Sequence, residues 1–169
     1  MSIDEAYIKK LLQIKDSYLY HRENQTVEYK EQFNFNGLAD YFRDFAAFAN
    51  NKGGHMIFGI KDSPRIPLGM NKSSMEQFEK IDAGKISGYL LEIFSCDIVW
   101  EQIVIEYEKK KYGIFKVFES NSKPIIAKKD EGREQIIKAL LLFEGRSEAK
   151  ITGFPSWFSV LMKQKNHSG

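Results

Sequence analysis

Apolar side chains recur at three- and four-residue steps in three parts of the chain, and this spacing predicts three amphipathic helices. The first covers residues 3–15, the second lies between 36 and 50, and the third, which is longer, covers 74–94. In the second helix the apolar positions form one wide stripe that is typical of a core-facing helix. Gly84 and Gly88 weaken the third helix, because each costs about 1 kcal/mol relative to Ala.

Shorter segments of the chain show the patterns of strands. Residues 26–31 alternate between apolar and polar side chains, with Glu28 and Lys30 on the polar face, which indicates a half-buried strand. Residues 55–60 are almost all apolar, a pattern typical of a strand that is covered on both faces. Four further strands are predicted at 98–107, 112–118, 124–127 and 136–143, and the first two are joined by a hairpin at 108–111.

Together these elements predict an α/β (α+β) fold, with a mixed sheet of about five to six strands flanked by two to three helices. No repeat, low-complexity tract or linker interrupts the pattern, so we predict a single domain over residues 1–169. We expect an N-terminal helix over 1–19, a core over 20–151 and a short tail over 152–169. The composition, 43% apolar and 14% aromatic, suffices for a core that needs no disulfide.

Cysteine and histidine are scarce. Cys96 is the one cysteine of the sequence, so no disulfide can form within the chain, and three scattered histidines do not complete a zinc site with it. This usage favours a reducing cytoplasm. The sequence shows neither a signal peptide nor an apolar run long enough to span a membrane, so we expect no membrane partner.

The charge is uneven along the chain, although the net charge is only +2 and the isoelectric point is near 8.5. A dedicated nucleic-acid clamp would be more basic. Lysines nevertheless cluster at 109–111, at 128–129 and at positions 163 and 165, and these clusters could converge on one phosphate-binding face. The alternative, which is about as well supported by the sequence, is that they are solvated turn lysines that protect strand edges from aggregation.

Several unlike motifs occur in the order that the Schlafen AlbA-like domain shows. The chain resembles that family in VEYKEQFN at 27–34, AAFANNKGG at 46–54 and HMIFGIKDS at 55–63, and further along in PIIAKKD at 124–130 and GRS at 145–147. The resemblance covers roughly residues 20–151. It departs from the family at 140–144, LLLFE, where relatives usually carry an aromatic-rich strand with an Arg before its last Gly. The resemblance implies a domain that binds nucleic acid.

The same resemblance points to three carboxylates. Schlafen nucleases have two Glu five residues apart at the first strand and an Asp just after the second, and Glu23, Glu28 and Asp62 occupy the matching positions. As a catalytic and metal-binding set they would hold Mg²⁺ or Mn²⁺ at a scissile phosphate. A five-residue offset places two side chains on opposite faces of a strand, so Glu23 would have to lie in the preceding turn. The alternative is that Glu28 pairs with Lys30 and that the other two are solvated loop ends.

The sequence lacks the motifs of common nucleotide-binding, hydrolase and zinc sites. The sequence has no phosphate-binding Gly-rich loop followed by Lys-Ser/Thr, no GxGxxG, no nucleophile elbow, no HExxH and no paired CxxC. ATP binding is therefore poorly supported by the residues. Tyr18, Tyr20 and Tyr29 lie near the acidic residues and could stack on unpaired bases, although the aromatic residues of a half-buried strand usually belong to the core.

We therefore predict a nucleic-acid-binding domain for DNA or RNA whose basic residues contact phosphates and do not select a sequence. The alternatives are a metal-dependent endoribonuclease and an interaction module or shortened, inactive relative. No cofactor is indicated apart from the Mg²⁺ or Mn²⁺ of the nuclease alternative. Because Schlafen nucleases resemble two related lobes across a groove, a homodimer is expected. The predicted contact residues are Lys30, Lys109, Lys110, Lys111, Lys128, Lys129 and Arg146.

Overall fold

The structure is a computed structural model and describes residues 3–128. Four α-helices are present in this part of the chain: α1 (Glu5–Leu11), α2 (Leu38–Asn50), α3 (Lys72–Glu79) and α4 (Ala83–Ile93). A short 3₁₀ helix, Phe35–Gly37, precedes α2. The strands are β1 (Ile14–Lys15), β2 (Tyr18–Leu19), β3 (Val27–Lys30), β4 (Gly54–Phe58), β5 (Ile60–Lys61), β6 (Ile66–Pro67), β7 (Trp100–Tyr107) and β8 (Lys110–Val117).

The central sheet has four strands in the order β3-β4-β8-β7. β3 and β4 run parallel, with Val27 opposite His55, and the connection between them contains α2. β4 and β8 are antiparallel, as are β8 and β7, so the sheet is mixed as predicted. Two small antiparallel ribbons, β1-β2 and β5-β6, lie outside it.

Apolar side chains cover both faces of the central sheet, which gives two cores. On one face, Phe58 and Phe115 pack in a cluster that includes residues of α2, α3 and α4. On the other face, Ile57 and Ile114 join a cluster that includes the buried residues of α1. The continuous apolar pattern of β4 follows from this arrangement, because successive side chains of one strand enter different cores.

The predicted third helix is two helices. α3 ends at Glu79, and α4 begins after Asp82, whose carboxylate accepts a hydrogen bond from the backbone N–H of Lys85 at 3.0 Å. Periodicity alone did not indicate the break, because apolar residues continue on both sides of it. The N-capping preference of aspartate, which satisfies a free helix N–H, is the local signal for a new start.

Other predicted elements differ in their bounds. The first helix ends at Leu11, and part of the segment predicted as helix forms β1 of the first ribbon. The predicted strand 55–60 is divided at Gly59, whose φ is +109°. Residues 124–127 form one isolated bridge, from Ala127 to Phe94, and no extended strand. The predicted strand 136–143 lies outside the described residues, and so does the predicted tail 152–169.

No helix in the described part of the chain is long and apolar enough to cross a membrane.

Candidate nucleic-acid interface

Three consecutive lysines lie in the wall of a cleft with a volume of about 550 Å³. The other walls come from the loop after β6 and from α3. We call this the basic cleft. Its lining residues are Leu68, Gly69, Met70, Asn71, Lys72, Met75, Glu76, Glu79, Lys109, Lys110 and Lys111.

The lysine wall is formed by the turn between β7 and β8. Glu108 and Lys109 have φ values of 50° and 62°, and Tyr107 pairs with Lys110, so the connection is a tight two-residue hairpin. This confirms the hairpin predicted at 108–111. All three lysines from Lys109 to Lys111 are exposed, and none forms an ion pair with a residue in the described part of the chain.

The loop after β6 is fixed against the lysine turn by hydrogen bonds. The N–H of Met70 donates to the carbonyl oxygen of Lys111 at 2.8 Å, and the Lys110 ammonium donates to the carbonyl oxygen of Pro67 at 2.7 Å. The Gln32 side chain holds the same loop from the other side, because its Nε2 donates to the Gly69 carbonyl and its Oε1 accepts from the Asn71 N–H. Hydrogen bonds within the fold therefore hold two walls of the cleft in place.

The third wall is α3, which presents its N-terminus at the cleft. Asn71 caps the helix by accepting a hydrogen bond from the N–H of Ser74 at 2.8 Å. Lys72 lies in the first turn, where the helix dipole adds partial positive charge. Glu76 and Glu79 lie in later turns and bring negative charge to the same wall. With four lysines and two glutamates, the lining carries net positive charge.

Of the other predicted basic residues that the structure describes, neither Lys30 nor Lys128 lines this cleft. The Lys128 ammonium donates to the carbonyl oxygen of Leu91 at 3.1 Å, and the Lys128 N–H donates to that of Ile93 at 2.8 Å. Both carbonyls belong to the last turn of α4, where a cation is favoured by the helix dipole. Lys128 therefore contacts the end of α4 and is not among the residues that line the basic cleft. Lys129 and Arg146 lie outside the described residues.

Lys30 is engaged in ion pairs on β3. Its ammonium lies 2.8 Å from Glu28 Oε1 and 3.3 Å from Asp44 Oδ2. Burial opposes the charged form, but the hydrogen bond to Glu28 and the charge of Asp44 raise the pKa of Lys30 above its ordinary value. Lys30 is thus neutralised by two carboxylates, which does not suit its predicted role as a phosphate contact. The alternative that Glu28 pairs with Lys30 is what the structure shows.

The three predicted catalytic carboxylates are not gathered. Glu23 Oε1 accepts a hydrogen bond from the Tyr29 N–H at 2.9 Å, whereas Asp62 is exposed in the turn of the β5-β6 ribbon. Among residues 3–128, no three His, Cys, Asp or Glu side chains are grouped so that they could hold a metal ion. The arrangement of Glu23, Glu28 and Asp62 does not fit an Mg²⁺ or Mn²⁺ centre, and we derive no catalytic step from it. Their catalytic and metal-binding roles stay predictions.

The sequence did not indicate two residues of the cleft region, Lys72 and Gln32. Lys72 was missed because the third helix was predicted to start at Ser74, although Asn71 is a typical N-cap residue and could have placed the start correctly. Gln32 reaches a loop that lies 37 to 39 positions later in the chain, a contact that no local pattern indicates.

A known family matches the part of the chain that contains this cleft. The model of the family described as "Schlafen, AlbA_2" matches residues 23–139, a range that includes every residue of the basic cleft. The chain belongs to the Schlafen AlbA_2 family. This confirms the resemblance drawn from the motifs at 27–34, 46–54 and 55–63.

A longer relative of this AlbA_2 chain comes from Ureaplasma parvum serovar 3 (strain ATCC 700970). It is named an uncharacterized ATP-binding protein. The two sequences are 32% identical over an alignment 186 residues long, and this alignment covers 99% of this chain and 52% of the relative. The chain thus spans about half the length of the curated relative that it matches.

Two solved structures are similar to this AlbA_2 chain at low identity. The DIP2311 protein of Corynebacterium diphtheriae matches with a TM-score of 0.47 and 17% identity, over 72% of this chain and 23% of that protein. The N-terminal domain of a protein of Nitrosomonas europaea, described as related to the ATP-dependent DNA helicase RecG, matches with a TM-score of 0.45 and 18% identity. That match covers 63% of this chain and 72% of the domain.

Proposed function

We propose that this AlbA_2 domain binds nucleic acid by holding the phosphate backbone in the basic cleft. The observation that carries the proposal is that Lys72, Lys109, Lys110 and Lys111 line one cleft, with the turn lysines exposed and outside ion pairs among the described residues. Ammonium groups act as point charges toward phosphate. Such contacts set position and affinity but do not read bases, so we expect little sequence preference.

The number of lysines limits how strongly the cleft can bind. If all four contact phosphates, counterion release gives a slope of log K against log salt of about −3.6 for duplex and about −2.8 for a single strand. We therefore expect an affinity that is micromolar or weaker and that falls steeply as salt is added. Glu76 and Glu79 repel phosphate, so the backbone is expected to follow the lysine turn and the first turn of α3.

The test is a binding assay with labelled tRNA, single-stranded DNA and double-stranded DNA, each with and without Mn²⁺. Fluorescence anisotropy measures binding, and a gel of the same samples detects cleavage. Salt-dependent binding without cleavage supports the binding module, whereas Mn²⁺-dependent cleavage would restore the nuclease alternative. Unlabelled ATP is added as a competitor, because the Ureaplasma relative is named ATP-binding. ATP displacing nucleic acid at equal phosphate concentration would favour a nucleotide site.

We also propose that the domain pairs as a homodimer, since the family's nucleases resemble two lobes that face each other across a groove. In the described residues, β7 is an edge strand, and Val99 and Val104 leave apolar surface exposed at this edge. Two-fold pairing is the commonest oligomeric solution. Light scattering at tens of micromolar protein should give twice the mass of the chain. A mass equal to that of one chain contradicts the dimer and leaves the cleft proposal standing.

A further inference from the structure

Two tyrosines protrude from the first ribbon of the structure. Tyr20 is 60% exposed and Tyr18 is 43% exposed, so both rings offer apolar area to a ligand. Between them, Leu19 is 2% exposed and belongs to the core on the α1 side of the sheet. The ribbon is therefore anchored by its inward residue, while both tyrosine rings keep exposed surface; the Tyr20 ring also contacts the His21 ring edge-on, with centroids 5.1 Å apart.

The outward residues share one face. Tyr18 lies in β2 and Tyr20 follows the strand directly, so the alternation of side chains in an extended chain predicts that both lie on the same side, about 6.6–6.8 Å apart. Lys15 pairs with Tyr18 across the ribbon, and its ammonium lies 5.8 Å from the centre of the Tyr20 ring. The backbone N–H of Tyr20 donates to the Gln13 carbonyl oxygen at 2.9 Å, which extends the backbone pairing of the ribbon by one residue. We call Lys15, Tyr18 and Tyr20 the tyrosine face.

The tyrosine face is joined to the basic cleft through β6. The N–H of Leu19 donates to the carbonyl oxygen of Arg65 at 2.9 Å, and the Arg65 guanidinium donates back to the Leu19 carbonyl oxygen at 3.4 Å. β6 follows Arg65 directly and leads into Leu68, which lines the cleft. The backbone bonds between Leu19 and Arg65 therefore link the ribbon that carries the tyrosines to the strand that leads into the cleft.

We propose that the tyrosine face stacks on unpaired bases, so that the ligand of the basic cleft is single-stranded nucleic acid. This inference rests on the proposed function of the cleft. Rings and a cation on one face match a single strand, whose bases expose π-faces beside a charged backbone. In a duplex the faces of the bases are covered by neighbouring base pairs, so the tyrosine rings could contact only its backbone. Tyr29, the third tyrosine considered from the sequence, is 4% exposed and belongs to the core, so it takes no part.

The experiment compares binding of three labelled probes in fluorescence anisotropy. They are a single-stranded oligothymidylate of about 15 nucleotides, an abasic strand of equal length and a duplex; this length is near the upper end of the roughly 4–16 nucleotides that an OB fold covers on a single strand. The variant Tyr18→Ser with Tyr20→Ser removes both rings, and Tyr18→Phe with Tyr20→Phe is the matched control that keeps them. A single-stranded RNA probe of equal length shows whether the sugar matters.

We expect the double Ser variant to bind the oligothymidylate roughly tenfold or more weakly, while the double Phe variant stays within about twofold of the wild type. Binding of the abasic strand and of the duplex should be unchanged by both variants. Equal losses on all three probes, or no loss on the oligothymidylate, would overturn the stacking inference. If the double Ser variant loses no binding to the oligothymidylate, replacing Lys109–Lys111 separates the two proposals. Weaker binding after that replacement would support the cleft proposal alone, whereas unchanged binding would contradict both the stacking and the cleft proposals.

Discussion

The backbone N–H of Met70 donates a 2.8 Å hydrogen bond to the carbonyl oxygen of Lys111, which joins the loop after β6 to the start of β8. The end of β6 also contacts β8, because the Lys110 ammonium donates a hydrogen bond to the carbonyl oxygen of Pro67. These bonds hold the lysine turn in one position relative to α3, because the loop leads directly into the N-cap of that helix. The spacing of the positive charges in the cleft is thus set by the fold.

Gly69 should be sensitive to a single added methyl group. Its φ is +78°, and a Cβ there would lie 3.0 Å from the Cβ of Lys110 and 3.3 Å from the carbonyl oxygen of Lys111. We predict that Gly69→Ala lowers the free energy of unfolding by about 1–3 kcal/mol and weakens nucleic-acid binding, because the lysine turn must shift. Urea unfolding and binding to the labelled probes measure the two effects.

The matched control for that change is Gly88→Ala. Gly88 lies within α4, and a Cβ there meets no atom within 4 Å. The control should raise stability by about 1 kcal/mol, because alanine is the better helix former, and leave binding unchanged. Equal effects of the two substitutions would contradict the close approach of Gly69 to the lysine turn.

Glu23 and Asp62 should behave differently, although the family motif pairs them. Glu23 accepts the N–H of Tyr29 on the edge strand β3, so Glu23→Ala leaves that donor without its partner and should cost about 1–2 kcal/mol. Asp62 is exposed and makes no hydrogen bond or ion pair with the residues that the structure describes, so Asp62→Ala should change stability by less than about 0.5 kcal/mol. Equal stability of both variants, together with loss of a Mn²⁺-dependent cleavage in both, would favour the triad instead.

His55 should make stability fall in mild acid. Burial, assisted by the positive charge of Lys116, lowers the pKa of His55 to about 4 from an ordinary value of 6.5. Lys116 pairs with His55 across β4 and β8, and the Tyr7 ring of α1 lies 5.3 Å away. The unfolded chain therefore binds the proton more readily than the folded chain between these two pH values. The free energy of unfolding therefore has its full value above pH 6.5. It decreases by on the order of 2–3 kcal/mol as the pH falls toward 4.

Urea unfolding at several pH values tests this dependence. His55→Gln, which has no proton to gain in this range, should flatten the profile between pH 6.5 and 4 relative to the wild type. A variant profile as steep as that of the wild type would show that other groups cause the acid sensitivity.

The fold could be predicted largely from local patterns. The alternation of β3, the apolar run of β4 and the wide stripe of α2 each reflect how one element meets the core, so sequence period and structure agree. The break between α3 and α4 depends on the capping side chain of Asp82, a one-residue signal within a long apolar pattern. The family match, over 23–139, agrees with the motifs that suggested the resemblance.

The candidate site could be predicted only in part. The lysine run at 109–111 lies in a hairpin turn, and turn position follows from the sequence. The other residues of the cleft region do not follow from the sequence, because Lys72 and Gln32 come near the lysine turn through tertiary packing. For Glu28, the motif position implies a metal-binding role, which stays a prediction, and the structure pairs its carboxylate with Lys30, whose ammonium also contacts Asp44.

The central claim is that lysines of the basic cleft hold the phosphate backbone. Its most direct test is the salt dependence of single-strand binding for the variant in which Lys109, Lys110 and Lys111 are all replaced by Gln. Exposed lysines elsewhere, Lys10, Lys52 and Lys85, are replaced by Gln in a control with the same change in charge. If each cleft lysine releases a counterion, the slope of log K against log salt should become shallower by about 2 in the cleft variant. The control should keep the slope of the wild type, and equal slopes in all three proteins would contradict the claim.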